Sequence, residues 1–256
     1  MNVLITGAAS GIGYNVGLRL AKMGYHVFLT TEDDKQLEVL REKIDELDNI
    51  GTFRLNVEKK EDIELLRDFD VDVLISNAAI GQGGSLIDVE MEKIKECFNV
   101  NVFSNISIMK IVLENMIKKG SGKVIIMSSM ISNIAIPFFG IYASTKASLS
   151  MLGGCLRKEL NYINNNIKLA IIEPGIYKTG FNRVMIENGY TSKYYKFNES
   201  VENLEKEILN FVGSNNLNSI SNKIIEAVES DNPKCIYRAP FIQNLLIKLY
   251  IKFIKK

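Results

Sequence analysis

Seven short runs rich in Val and Ile recur along this 256-residue chain, and the segments between most of them have helical periodicity. The runs are NVLIT (2–6), YHVFLT (25–30), GTFRLN (51–56), VDVLIS (71–76), KVIIMS (123–128), KLAIIE (168–173) and KCIYR (234–238). A strand that is apolar at successive positions must be covered on both faces, as a parallel strand is inside a sheet sheathed by helices. Helical spacing is read at 11–23, 33–47, 59–68, 88–118 and 142–163. Strand and helix in alternation predict an α/β fold: a doubly wound parallel sheet of about seven strands with helices on both faces. No composition shift, low-complexity run or repeat beyond the βα unit breaks the pattern, so a single domain over 1–256 is expected.

Composition excludes several functions. With 31 Lys and Arg against 30 Asp and Glu the net charge is +1, and nothing in it calls for nucleic acid. Cys97, Cys155 and Cys235 are odd in number, far apart and free of any CxxC. They read as unpaired core thiols in a reducing compartment, not a disulfide framework or zinc site. The single histidine, His26, begins a strand and reads as structural, so no metal site is expected. MNVLITGAAS enters a strand with no charged region or cleavage site before it, and no apolar run approaches the roughly 20 residues of a membrane span. A cytoplasmic location is expected.

The first strand runs straight into TGAASGIG. Gly7 permits a tight turn, Gly11 lets backbone approach a pyrophosphate, and Gly13 lets the following helix pack close to the sheet. That helix aims free N–H groups and its positive dipole end at the phosphates. The context, strand then glycine loop then helix, is that of a Rossmann-type dinucleotide site. At the end of the second strand stand Thr30, Thr31, Glu32, Asp33 and Asp34, with no cation before Lys35. Acids there suit a ribose diol and repel a 2′-phosphate, so NAD is favoured over NADP, with Thr31 at the key position.

Of ten tyrosines only Tyr142 has a lysine four residues on, in YASTK. Residues four apart share a helix face, so Tyr142 and Lys146 can point into one site. A cation at about 5 Å is worth about 3 kcal/mol to a phenolate, enough to bring tyrosine's pKa down by about two. Tyr142 could then exchange a proton near neutral pH. Ser128 and Ser129 end the fifth strand, where a hydroxyl can hold a substrate oxygen. Asn101 interrupts an apolar helix, and its expected partners are backbone groups or water leading toward Lys146.

TGAASGIG, the SNAA after strand four, Asn101, Ser129, YASTK and EPGIYKTGF stand in the order and at the intervals of a known family. The chain resembles a short-chain dehydrogenase/reductase of the single-domain type over about 1–180, more weakly to 240. The resemblance implies an NAD(P)-dependent oxidoreductase interconverting a secondary alcohol and a ketone through a tetrad of Asn101, Ser129, Tyr142 and Lys146. Tyr142 would be the general acid/base, Ser129 would orient the substrate oxygen, Lys146 would bind the nicotinamide ribose, and Asn101 would support a relay water. Pro174, Gly175 and Thr179 would lie by the nicotinamide. The cofactor set is completed by Ser10, Ile12, Glu32, Asn56, Val57, Asn77 and Ala78. Ala79 stands where the family carries glycine, and Asn56 where it carries aspartate.

Residues 176–218 break the βα rhythm with aromatics (Phe181, Tyr190, Tyr194, Tyr195, Phe197) and one helix expected at 199–212, and read as a substrate lid. The tail, APFIQNLLIKLYIKFIKK, reads as an apolar helix over 240–256 that is too short to span a bilayer. Packing on protein is favoured for it over peripheral contact of 241–256 with a membrane, and a greasy helix near the cleft hints at a lipophilic substrate. The resemblance also implies a homodimer or homotetramer, paired through helices at 99–118 and 142–163. Two rivals remain on the same fold: a non-catalytic dinucleotide sensor or membrane-docked interaction protein, and an extended-branch epimerase or dehydratase. The first has no need of the tetrad, and the second needs a larger C-terminal portion.

Overall fold

Successive residues of each central strand feed two different cores. In β1 (Asn2–Ile5), Val3 and Ile5 enter one core and Leu4 the other. In β4 (Val73–Ser76), β5 (Gly122–Met127) and β6 (Ile167–Pro174), Val73, Ile75, Ile125, Met127, Ala170 and Ile172 join the first. Leu74, Val124, Ile126, Leu169 and Ile171 join the second. Burial of such a side chain stabilises by about 1.5–3 kcal/mol, so neither face can be left open. With β2 (His26–Thr31), β3 (Ile50–Arg54) and β7 (Ile236–Ala239) these strands make one parallel sheet of seven, ordered β3-β2-β1-β4-β5-β6-β7. The computed structural model describes residues 1–44, 47–187, 189 and 213–246.

The first core is covered by α1 (Gly11–Lys22), α2 (Asp34–Ile44) and α8 (Asn218–Glu229), through Val16, Leu20, Leu40, Ile224 and Val228. The second is covered by α3 (Lys60–Glu64) with its 3-10 continuation Leu65–Asp68, by α5 (Asn105–Lys119) and by α6 (Gly140–Ile163). Among the described residues the other helices are α4 (Met91–Phe98), α7 (Phe181–Glu187) after β6, and a turn and a half at 241–246 after β7. Strand order reverses between β1 and β4, the point at which an open parallel sheet forms a ligand crevice at its carboxyl edge.

Three readings of the sequence change. The helix expected over 88–118 is α4 and α5 joined by a π-turn at Asn99–Ser104. Asn105 holds that turn: its side-chain amide donates to the carbonyls of Val100 (3.0 Å) and Asn101 (3.0 Å) within it and of Ala78 (3.1 Å) in the loop after β4. Helices α7 and α8 were not anticipated, although Ile220, Ile224, Ile225 and Val228 of α8 have helical spacing. Of the three thiols expected in the core, only Cys97 is buried. The expected helix at 199–212, Tyr190, Tyr194, Tyr195, Phe197 and the tail beyond 246 lie outside the described residues.

Candidate active site

The crevice is set by one hydroxyl. Thr6 Oγ1, at the end of β1, accepts from the backbone N–H of Asn77 (2.9 Å) and of Ala78 (3.0 Å), at the end of β4. Asn77 returns two bonds of 2.9 Å from its side-chain amide to the carbonyls of Thr6 and Gly7. Gly7 (φ 61°) and Gly11 (φ 64°) hold left-handed turns, and a Cβ on Gly7 would meet Ala78 Cα at 2.8 Å. A Cβ on Gly13 would press on Asn77 Nδ2 at 2.7 Å. A second close approach of α1 to the sheet is at Gly17, where a Cβ would lie 2.4 Å from Leu29 Cδ2. Ser10 is the N-cap of α1 in extended conformation, exposed and with no side-chain cap bond, and Ile12 is half-buried beside it. Thr179 stands across the loop, 3.5 Å from where a Gly11 Cβ would be. A helix start with its N–H groups uncapped by a side chain, between two glycine turns, fits a pyrophosphate.

At the end of β2 the buried Thr31 gives its hydroxyl to the carbonyl of Asp33 (3.1 Å), whereas Glu32 is exposed. The sheet supplies a cation that reading along the chain missed: Arg54 pairs in register with Thr31. Its guanidinium is engaged by Asp62 at 3.2 Å and Asp34 at 3.9 Å. Asn56 opens a turn in which its Oδ1 accepts from Glu58 N–H (2.9 Å), and the Val57 side chain packs into the second core.

Tyr142 and Lys146 lie side by side on α6, both almost closed to solvent, with Lys146 Nζ 5.6 Å from the tyrosine ring centroid. Lys146 Nζ donates to the carbonyl of Met127 (3.0 Å), two residues before Ser129. Phe181 of α7 packs on the Tyr142 ring with centroids 5.5 Å apart. Burial pushes the Tyr142 hydroxyl up, opposite to the lowering expected from its lysine, and pushes Lys146 down to about 8. In the protein alone, removal from water is the larger cause of both shifts, and the Cys97 thiol beside the pair raises Tyr142 further while holding Lys146 up. Cys97 lies behind the pair, its thiol raised to about 11 by burial, with Lys146 opposing.

The two serines part company. Ser128 Oγ is spent on the Lys146 carbonyl (2.9 Å) and Ser150 Oγ (2.7 Å). Ser129, half-buried, makes only long bonds, from Ile131 N–H (3.3 Å) and to the Pro174 carbonyl (3.4 Å), which another oxygen can replace. Asn101 sits in the π-turn and does not reach Lys146 directly. It accepts from Ile80 N–H (2.8 Å) and donates to the Ile80 carbonyl (2.9 Å) and Thr145 Oγ1 (3.1 Å), tying the β4 loop to α6.

Two further residues near the site, besides Arg54, escaped the sequence reading. Glu173, almost wholly buried beside Pro174, accepts from Arg238 Nε (2.6 Å), Asn133 Nδ2 (3.0 Å) and Ser150 Oγ (3.2 Å). It thereby joins β6 and β7 to α6 and to the 3-10 turn Met130–Asn133 that follows Ser129. The signal was an acid in the apolar run KLAIIE. Gln243, in the 241–246 turn, bonds both backbone groups of Ile176 (2.7 and 3.1 Å), and a Cβ on Gly175 would collide with its Oε1. The expected nicotinamide wall, Pro174 and Gly175, is therefore buttressed by the start of the tail.

Comparison with known proteins agrees with this architecture. A family model described as short chain dehydrogenase matches residues 1–188. The 3-ketodihydrosphingosine reductase of Bacteroides thetaiotaomicron is 30% identical over 251 residues, spanning 96% of this chain and 90% of that protein. A short-chain dehydrogenase/reductase from Burkholderia phymatum, solved in complex with NAD, superposes with a TM-score of 0.85 at 17% identity, covering 99% of this chain and 94% of that one. A closed form of serine dehydrogenase complexed with NADP+ gives a TM-score of 0.77 at 20% identity, covering 93% and 94%. With a glycine-turned crevice at the strand reversal and a buried tyrosine–lysine pair beside it, the chain belongs to the short-chain dehydrogenase/reductase family of oxidoreductases.

Proposed function

We propose that the protein is an NAD-dependent enzyme that interconverts a ketone and a secondary alcohol on an apolar substrate, with Tyr142 carrying the proton. The observation that carries this reading is the enclosed Tyr142–Lys146 pair at the carboxyl edge, next to a serine whose hydroxyl is only loosely engaged. The nicotinamide cofactor, when bound, supplies or accepts the hydride. Ser129 exchanges its long bonds for the substrate oxygen and orients it. Tyr142 gives its phenolic proton to that oxygen in reduction and takes it back in oxidation. Lys146 holds positive charge beside the phenol and offers N–H groups to a ribose. Asn101 is a positioning residue that locks Ile80 and Thr145 around the pair, rather than a direct relay partner of the lysine.

Burial keeps the phenol in its protonated form in the protein alone, so charge on Lys146 and on a bound oxidised cofactor must ease its ionisation. For the cofactor, the exposed Glu32 suits a ribose diol, and the one cation beside Thr31 is neutralised by Asp34 and Asp62. Both favour NAD over NADP. The Bacteroides relative, named for a long-chain keto substrate, supports a lipid-like ketone. Of the expected lid, the described helix α7 acts as a cover, with Phe181 on Tyr142 and Met185 against Gly81 and Gly83. Exposed Phe103 in the π-turn, Ile117 in α5, and Met151 and Leu152 in α6 support pairing of the segments 99–118 and 142–163 between subunits.

The test is Tyr142→Phe. With a panel of long-chain ketones and NADH, it is expected to lose at least about 10³-fold in turnover while NADH binding, followed by fluorescence, changes little. Wild-type rates in this variant on a verified substrate would overturn the mechanism.

A further inference from the structure

The ladder between β6 and β7 runs out at a proline. Pro174 pairs in register with Ala239, and Gly175 N–H donates to the Ala239 carbonyl (2.8 Å). The next residue on the β7 side is Pro240, which has no N–H to give. Gln243, a little further on, takes over. Its side-chain amide accepts from Ile176 N–H (2.7 Å) and donates to the Ile176 carbonyl (3.1 Å), so one buried side chain serves both backbone groups as a neighbouring strand would. Gly175 makes room for it, since a Cβ there would lie 1.9 Å from Gln243 Oε1.

The segment held in this way joins the two halves of the crevice. At its start the Pro174 carbonyl faces the Ser129 hydroxyl (3.4 Å), and at its end Thr179 stands against Gly11 of the glycine loop. Between them the Ile176 carbonyl also accepts from Ser214 N–H (2.9 Å), and Lys178 N–H donates to the Ser214 carbonyl (3.0 Å). In a trans peptide the N–H points opposite to the C=O. With the Ile176 carbonyl fixed by Gln243 and Ser214, the Tyr177 N–H is turned away from both, and no described residue accepts it. The Tyr177 ring is buried in the first core and its hydroxyl meets Ser219 Oγ (2.8 Å), which holds the peptide from its other end. One oriented donor is thus left for a ligand between Ser129 and the glycine loop.

We propose that Gln243 is a positioning residue of the dinucleotide site: by fixing the Ile176–Tyr177 peptide it sets the affinity for the nicotinamide half of the cofactor. The adenosine and pyrophosphate half depends instead on the glycine loop and the end of β2. Gln243 acts through the backbone of residues 175–177, not by touching the cofactor. The proposal rests on the reading of the chain as NAD-dependent.

Calorimetry of the full chain with NADH and with ADP-ribose, which lacks the nicotinamide ring, tests this without turnover. Gln243→Met keeps the length of the side chain but takes away its two hydrogen bonds. It is expected to bind NADH at least about tenfold more weakly than wild type, and ADP-ribose within about twofold of it. Gln243→Ala is expected to show the same split, and an unshifted ADP-ribose affinity in either variant reports that the fold has survived. Equal losses for both ligands would make Gln243 a residue that only holds the fold, and would overturn the proposal. NADH binding as tight in both variants as in wild type removes this proposal alone. A wild type that binds neither ligand removes the dinucleotide reading itself, and this proposal with it.

Discussion

Lys146 holds its ammonium nitrogen 5.6 Å from the centroid of the Tyr142 ring, in a place that disfavours its own charge. Its pKa falls from 10.5 in the unfolded chain to about 8 in the fold. Between those values the unfolded chain binds more protons, so stability rises with pH across that window. At pH 7 the charged lysine costs about 3 kcal/mol. Lys146→Met is therefore expected to melt higher than wild type by several degrees at pH 7, with the gap closing toward pH 10, while turnover falls at least about a hundredfold. Thermal melts at pH 7 and pH 10 check the sign; a variant that melts lower at pH 7 refutes it.

Glu173 is buried with Arg238 as its cation. Glu173→Ala leaves that guanidinium and the Asn133 and Ser150 donors without their carboxylate, an expected loss of about 3–5 kcal/mol in urea denaturation. Glu173→Met with Arg238→Met removes both charges and is expected to recover most of that loss. A double variant no better than the single one would argue against the pairing.

Asn105 serves three carbonyls at once. Asn105→Asp preserves shape but cannot donate, so it is expected to cost about 2–4 kcal/mol, close to the loss from Asn105→Leu. Denaturant midpoints of the two variants decide it: an Asp variant as stable as wild type would mean that the π-turn does not depend on this amide.

Cofactor choice turns on the end of β2. Calorimetry is expected to give NADH at least about tenfold tighter binding than NADPH, a difference of about 1.4 kcal/mol. Glu32→Arg should close most of that gap by supplying a cation that Asp34 and Asp62 do not already hold. NADPH preferred by the wild type would overturn the reading of Arg54 as neutralised.

Much of the fold was legible because the strands obey a simple rule: buried on both faces, they are written as unbroken apolar runs. The glycine loop was legible for the same local reason, a motif between one strand and one helix. What stayed hidden depends on contacts between distant segments. Arg54 reaches Thr31 through sheet register, Glu173 meets Arg238 across two strands, and Gln243 meets Gly175 and Ile176 from 67 residues away along the chain. The rise in the Tyr142 pKa was equally hidden, since it follows from enclosure by Phe181 and the core rather than from the neighbour four residues on. The π-turn was half visible: Asn101 was seen to interrupt an apolar helix, but the amide that shapes the turn belongs to Asn105.

The clip at Thr6 separates two kinds of evolutionary freedom. One oxygen and one asparagine side chain weld the first and fourth strand ends, so the half of the crevice built by the glycine loop keeps its width whatever happens at the other end of the sheet. Segments beyond β6 and β7 can then be exchanged, lengthened or made more greasy without retuning the pyrophosphate seat. A scaffold partitioned in this way can acquire new substrates by rewriting its last third alone.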